Sequence, residues 1–260
     1  MKVKHLGGGV VLIEDLLDSD TLASIDFSLI ETNCTPVGYE KIDGKDYMEG
    51  GYYIPEHDLI TMPIRYMQDI DKFDFYQAID NAAYTAALEY CKIFPAAAEN
   101  ITSFGSKHFV KYLPGGLMGV HSDSTISYKD GTVEPTFINS IGNTVSMSII
   151  LNDTFTGGEI NFKLWDINIS PKPGSALLYP SNYIGAHEVL EVTSGVRWVF
   201  LAFLFHGDRS FSVNPEMERY SERYQWTMNF RQILRDFFKS DGEDTLNPTH
   251  TLNTCQKKVV

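Results

Sequence analysis

Trp198-Val199-Phe200-Leu201-Ala202-Phe203-Leu204-Phe205 closes a series of short β-prone runs that decides the fold class of this chain. Working outward from it, the series comprises Glu188 to Val192, Ala176 to Tyr179, Glu159 to Phe162, Val145 to Leu151, Leu117 to Asp123 and Phe109 to Tyr112, with Gly, Pro and Asn between the runs. Short runs at this spacing, punctuated by turn residues, predict an antiparallel sandwich or jelly roll. The chain shows no internal repeat.

Helical patterns flank the β-rich stretch. Phe75 to Ile93 is apolar at Ala78, Ile79, Ala82, Ala86 and Tyr90, a helical spacing, and Phe94-Pro95 stops it. Nearer the N-terminus, Val10 to Ile13 reads as a strand, and Asp18-Ser19-Asp20 offers caps for one helix through about Ile30, with Leu22, Ile25 and Leu29 on its apolar side. Asn33 to Asp58 is rich in Gly, Tyr and charge with little periodicity, and reads as a long connection of the lid type. Beyond the β-rich stretch, Glu218 to Lys239 reads as a helix, and the polar, Pro-containing segment after Ser240 as a loose tail. The resulting division is one domain over 1–240 with its core at about 107–205, and a C-terminal tail over 241–260.

Composition narrows the partners. The 260 residues are 43% hydrophobic and 21% charged, ordinary for a globular protein. A formal charge of −13 without a Lys/Arg cluster opposes a nucleic-acid backbone or an anionic membrane as partner. The N-terminal apolar stretch is broken by Gly7-Gly8-Gly9 and ended by Glu14-Asp15, too short for a signal peptide or a span, so the cytoplasm is the expected compartment. Cys34, Cys91 and Cys255 are odd in number and far apart, and read as free thiols.

The chemistry concentrates on a few polar residues within the β-rich stretch. His121 and Asp123 stand two apart in an extended segment, so both side chains project to one side and can chelate one ion. A third ligand must come from another strand, and His187 precedes the alternating run Glu188 to Val192. Two imidazoles and one carboxylate hold a divalent metal on one face and leave other positions open, the arrangement of non-heme Fe(II) oxygenases. Ten residues on, Arg197 presents a planar fork suited to a carboxylate, with Val196, Trp198 and Val199 as apolar surroundings. His206-Gly207-Asp208 repeats the spacing, but only His250 lies downstream, so this pair lacks both a third ligand with the right context and an arginine. Gly157-Gly158 reads as a turn instead of a phosphate cradle, since no helix start or downstream Lys accompanies it.

With these residues in place, the stretch from about Lys107 to Phe205 resembles the Fe(II)- and 2-oxoglutarate-dependent dioxygenases of the prolyl-hydroxylase type. The resemblance lies in four segments in order: Tyr112-Leu113-Pro114-Gly115-Gly116 with His121-Ser122-Asp123; Leu151 to Glu159; Pro171 to Tyr179; and His187-Glu188-Val189 with Gly195-Val196-Arg197. Val10 to Ile30 is similar to the family's usual opening. The resemblance implies a mainly β, cupin-like double-stranded β-helix, a jelly-roll variant with flanking helices. It implies Fe(II) on His121, Asp123 and His187, the distal carboxylate of 2-oxoglutarate on Arg197, a Tyr112 hydroxyl reaching the cosubstrate, and O₂ as the second cosubstrate. Related halogenases lack the carboxylate, so Asp123 points to hydroxylation.

Two positions depart from the family pattern. Met118 stands where many relatives carry an aromatic residue, and Ile150 where oxygen-sensing prolyl hydroxylases carry a tyrosine that supports the cosubstrate carboxylate. Ser146 and Ser148 share the face of Ile150 by the period of two, so a serine hydroxyl, Ser146 first, is a candidate replacement for that phenol. The implied substrate is a prolyl or other residue in a protein or peptide, with a free amino acid or small metabolite as the alternative. A non-catalytic jelly-roll binding module is the reading from another class, and Arg197 argues against it because a structural metal needs no carboxylate receptor.

Overall fold

The computed structural model describes residues 1–33, 39–42, 45–48, 51–54, 59–63, 70–101, 103–124, 128–129, 132–133 and 142–206. The helix expected over Glu218 to Lys239, the tail beyond it, Cys34, Cys255 and the Gly207-Asp208 part of the second His-x-Asp lie outside the described residues.

Two antiparallel layers face each other across the β-rich stretch. The large sheet has ten strands, in the order Lys2–Gly7, Val10–Glu14, Ala176–Pro180, Asn143–Ile150, Arg197–Phe205, Ser103–Tyr112, Leu59–Pro63, Gly51–Ile54, Lys45–Met48, Tyr39–Ile42. The small sheet has four, in the order Ile167–Ile169, Ile160–Phe162, His187–Val189, Met118–His121. From Ser103–Tyr112 to Arg197–Phe205 the chain passes back and forth between the two sheets, with Ile160–Phe162 and Ile167–Ile169 as a hairpin inside the small one, a jelly-roll course.

The period of two along each strand of the large sheet separates two cores. Val145, Met147 and Ile149 face one side with Leu178, Phe200 and Ala202, where they meet Ile79, Ala83, Ala86 and Ala87 of the helix Asp74–Ile93. Small alanines on that helix face let it lie close to the sheet. On the other side Ile150, Leu177, Tyr179, Val199, Val110 and Tyr112 face Ile160, Phe162, Val189 and Val192. Every residue in the inter-sheet list is nearly inaccessible, at 6% exposure or less. Ser146, Ser148 and Arg197 are equally buried, so polar groups are confined there to specific positions.

Three expectations need correction. The single helix from Asp18 to Ile30 is two, Ser19–Ser24 and Phe27–Asn33, because Asp26 acts as a second cap: its Oδ1 accepts the Leu29 N–H at 2.9 Å. The strand expected over Leu117 to Asp123 ends at His121, and Asp123 stands in the turn beyond it. Within Asn33 to Asp58, the described residues form a β-meander, Tyr39–Ile42, Lys45–Met48 and Gly51–Ile54, which pairs through Leu59–Pro63 onto Ser103–Tyr112. An Asp43-Gly44 pair between β-prone runs is a strong hairpin signal, and it outweighs the absence of a simple apolar alternation. Cys91 is free and fully buried, and burial pushes its thiol up to about 12, which makes it inert at neutral pH.

Candidate active site

Strand pairing brings the predicted ligands together. His187 and His121 are register partners on adjacent strands of the small sheet, and their ring centroids lie 4.4 Å apart. Asp123 folds back from the turn so that Oδ1 is 3.3 Å from His121 Nε2. One ligand atom from each of His121, Asp123 and His187 lies within 4.8 Å of the others. The convergence expected from a shared strand face is therefore reached by a strand end and a turn.

Local backbone fixes both imidazoles. His121 Nδ1 is 2.8 Å from the Gly119 carbonyl oxygen and His187 Nδ1 is 3.0 Å from that of Gly185. Each carbonyl accepts from Nδ1, which turns Nε2 to the centre: on His187 as a lone pair, on His121 toward the Asp123 carboxylate, where a metal would replace its proton. Burial works to lower both histidines; at His187 it wins, while at His121 the hydrogen bond and charge of Asp123 reverse it. Burial likewise works to raise Asp123, but the His121 hydrogen bond, the two imidazoles and a hydrogen bond from Ser146 outweigh it and hold the carboxyl below its ordinary range. One carboxylate and two imidazoles, once His121 gives up the proton that Asp123 favours, form the donor set that suits ferrous iron.

A small polar network holds the turn that carries Asp123. Ser146 Oγ is 2.8 Å from Ser181 Oγ and bonds the Asp123 carboxylate, Asn143 Nδ2 donates to the Asp123 carbonyl at 3.2 Å, and Ser124 N–H donates to the Ser181 carbonyl at 2.8 Å. The hydroxyl of Ser146 is thus directed at the metal triad, and that of Ser148 at the Tyr179 phenol.

Arg197 lies deeper between the sheets, 2% exposed, as register partner of Tyr112 on the large sheet. Its surroundings are aromatic more than aliphatic: Cζ is 5.0 Å from the Tyr112 ring centroid and 6.0 Å from that of Phe155, and the guanidinium donates to the Tyr112 hydroxyl. Trp198 points away, stacked on Phe27 in the helix-side core. Burial pushes the guanidinium down, and no carboxylate among the described residues pairs with it. A buried cation without an anion is unfavourable unless a ligand supplies one. Gly157 and Gly158 shape the adjoining hairpin with φ of +77° and +70°, and a Cβ on Gly158 would stand 2.8 Å from Arg197 Cδ. That close approach of backbone to the arginine stem is why glycine occupies the position.

Tyr179 and Ser181 join the site without having been singled out in the sequence. Tyr179 shares the inward face of Leu177 by the period of two, which is the signal that locates it.

The 2OG-Fe(II) oxygenase superfamily matches residues 107–205. Among curated proteins none matches the chain. Among solved structures, the viral collagen prolyl hydroxylase of Paramecium Bursaria Chlorella virus-1, in its 2OG complex, is 14% identical with a TM-score of 0.50, covering 77% of this chain and 97% of its own. A prolyl hydroxylase from Trichoplax adhaerens, in complex with a hypoxia inducible factor oxygen degradation domain peptide fragment, is 15% identical with a TM-score of 0.53, covering 80% of this chain and 88% of its own. Both share the fold. The superfamily's sequence pattern thus spans the strands that carry the His121-Asp123-His187 cluster and the buried arginine, and over residues 107–205 the chain is similar to the 2OG-Fe(II) oxygenases.

Proposed function

We propose that this chain hydroxylates an unactivated carbon of a residue, prolyl first, in a protein or peptide, using Fe(II), 2-oxoglutarate and O₂. The observation that carries the reading is a His-Asp-His triad between the same two sheets as a buried arginine that lacks a carboxylate partner among the described residues. A structural metal would explain the first feature and leave the second without a cause. Two prolyl hydroxylases with the same fold, one recorded with 2OG and one with a peptide, support the substrate class.

The residues divide the work. His121, Asp123 and His187 would hold the iron, with both imidazole rings oriented by the Gly119 and Gly185 carbonyls. Arg197 would take the distal carboxylate of 2-oxoglutarate through its N–H fork, and Tyr112, already hydrogen-bonded to the guanidinium, would add its hydroxyl. Ser146 holds Asp123 in the ligating orientation. Val110, Ile150 and Val199 make the inter-sheet surroundings apolar, which strengthens each of these interactions. When bound, the iron supplies oxygen activation coupled to decarboxylation of 2-oxoglutarate, chemistry that no side chain here can perform alone.

The test is direct. Purified protein should bind Fe(II) stoichiometrically and 2-oxoglutarate in a metal-dependent manner, and should release succinate when supplied with O₂ and a Pro-containing peptide, with the peptide gaining one oxygen atom. Metal binding without 2-oxoglutarate binding would refute the reading, and succinate release stimulated by free amino acids but not by peptides would shift the substrate to a small metabolite.

A further inference from the structure

Tyr179 ends the inward-facing part of the strand Ala176–Pro180, in register with Ser146, and is 3% exposed. Its ring packs edge-on against Phe162 and His187, with centroids 5.0 Å and 4.5 Å away. Its hydroxyl is 3.1 Å from His187 Nε2. Since His187 Nδ1 carries the proton bonded to Gly185, Nε2 is the lone-pair nitrogen, and the phenol donates to it.

That lone pair is the one a metal takes. Once it is taken, the phenol must direct its proton elsewhere, because a buried hydroxyl left without an acceptor is costly. Ser148 reaches the same oxygen, and its hydroxyl can donate to the phenol, which leaves the phenol's own proton for a further acceptor. Asp123, Tyr112 and Arg197 are near enough to act on this phenol electrostatically. The hydroxyl is thus at the edge of the triad, on the inter-sheet face it shares with Tyr112 and Arg197. Ile150, from the neighbouring strand, brings no polar atom to this space.

We propose that the Tyr179 hydroxyl is a cosubstrate-binding donor in this chain, bonding the metal-proximal oxygens of the 2-oxo acid while Arg197 holds the distal carboxylate. This rests on the oxygenase reading of the site. Its position 3.1 Å from the metal-facing nitrogen assigns it to the near half of the ligand. The phenol thus supplies, from a different strand, a donor that Ile150 does not.

Tyr179→Phe removes the hydroxyl and keeps the ring packing. Protein loaded with Mn(II), which accepts the same nitrogen and oxygen ligands, is titrated calorimetrically with 2-oxoglutarate and with oxalate, which mimics only the metal-proximal half of the 2-oxo acid. Tyr179→Phe should leave Mn(II) affinity unchanged and raise the Kd of both ligands about tenfold, the scale of a lost hydrogen bond to a charged acceptor. Arg197→Ala should weaken 2-oxoglutarate alone. Unchanged affinity for both ligands in Tyr179→Phe would overturn the proposal. So would weakening of 2-oxoglutarate without oxalate, which would place the phenol at the far end, or a parallel loss of Mn(II) affinity, which would make its role structural. If Mn(II)-loaded wild type fails to bind 2-oxoglutarate at all, the oxygenase reading itself fails; if wild type binds and Tyr179→Phe matches it, only this inference does.

Discussion

Replacing Arg197 by methionine is expected to raise the melting temperature of the cosubstrate-free protein while removing most of the stabilisation that 2-oxoglutarate confers. Desolvating a guanidinium costs several kcal/mol even after relaxation. Offsetting contributions are the cation–π contacts to Tyr112 at 5.0 Å and Phe155 at 6.0 Å, about 1 kcal/mol each, and the hydrogen bond to the Tyr112 hydroxyl, worth about 1.5 to 3 kcal/mol. These offsets total about 3.5 to 5 kcal/mol, so a desolvation cost on the order of 1 to 2 kcal/mol larger leaves a net penalty on arginine that methionine, similar in length, relieves. For a chain of this size the melting temperature should rise by about 2 to 8 °C. Ligand present at a hundred times its Kd stabilises wild type by about 2.7 kcal/mol. Losing a bidentate charge-assisted pair of about 3 kcal/mol raises that Kd roughly 150-fold, so the same concentration then contributes about 0.3 kcal/mol. Differential scanning fluorimetry of Mn(II)-loaded protein with and without 2-oxoglutarate reads both quantities. A variant that melts below wild type without ligand and keeps the full ligand-induced shift would refute the account of Arg197 as a buried receptor waiting for an anion.

Other consequences follow from the same geometry. Asp123→Ala and His187→Ala should each abolish Fe(II)-dependent succinate production with circular dichroism unchanged; wild-type turnover by either purified variant would reject the triad. Ser146→Ala, by releasing the Asp123 carboxylate, should weaken metal binding about tenfold with little change in 2-oxoglutarate affinity at saturating metal, measured by competition with a chelating dye. Gly158→Ala forces a left-handed alanine and a contact on the Arg197 stem, and should both destabilise the protein by about 1 to 2 kcal/mol in urea unfolding and raise the 2-oxoglutarate requirement; destabilisation alone would show that the arginine does not feel the hairpin.

The ligand set was legible in sequence because strand periodicity and spacing carry it. His121, His187 and Arg197 each begin or end a strand whose alternation is visible, and pairing of adjacent strands does the rest. Asp123 clusters with His121 although its backbone has left the strand: a two-residue offset preserves the side even where the ladder stops. What remained hidden depends on contacts between distant segments. Ser146 lies on the face predicted for it, yet its partner is chosen by Ser181, thirty-five residues away, which no local pattern reveals. Tyr179 was read only as part of an apolar run because a phenol's role depends on what its oxygen meets. The sequence of the meander Tyr39–Ile42, Lys45–Met48 and Gly51–Ile54 mixes charged and aromatic residues without the apolar alternation that betrays a half-buried strand.

The two halves of the site are mounted on supports of unequal stiffness. The strand that begins at Arg197 is hydrogen-bonded along both of its edges, to Asn143–Ile150 and to Ser103–Tyr112, in the middle of the ten-stranded sheet. Its opening requires the centre of the molecule to come apart. Met118–His121 is an outer strand of the small sheet, and Asp123 lies past its end, so fraying of one edge suffices to dissolve the ligand arm. If the proposed roles hold, Arg197 would stay in place through excursions that release the metal, and a chain without its ion would keep the mould into which a new ion and its 2-oxo acid could be set.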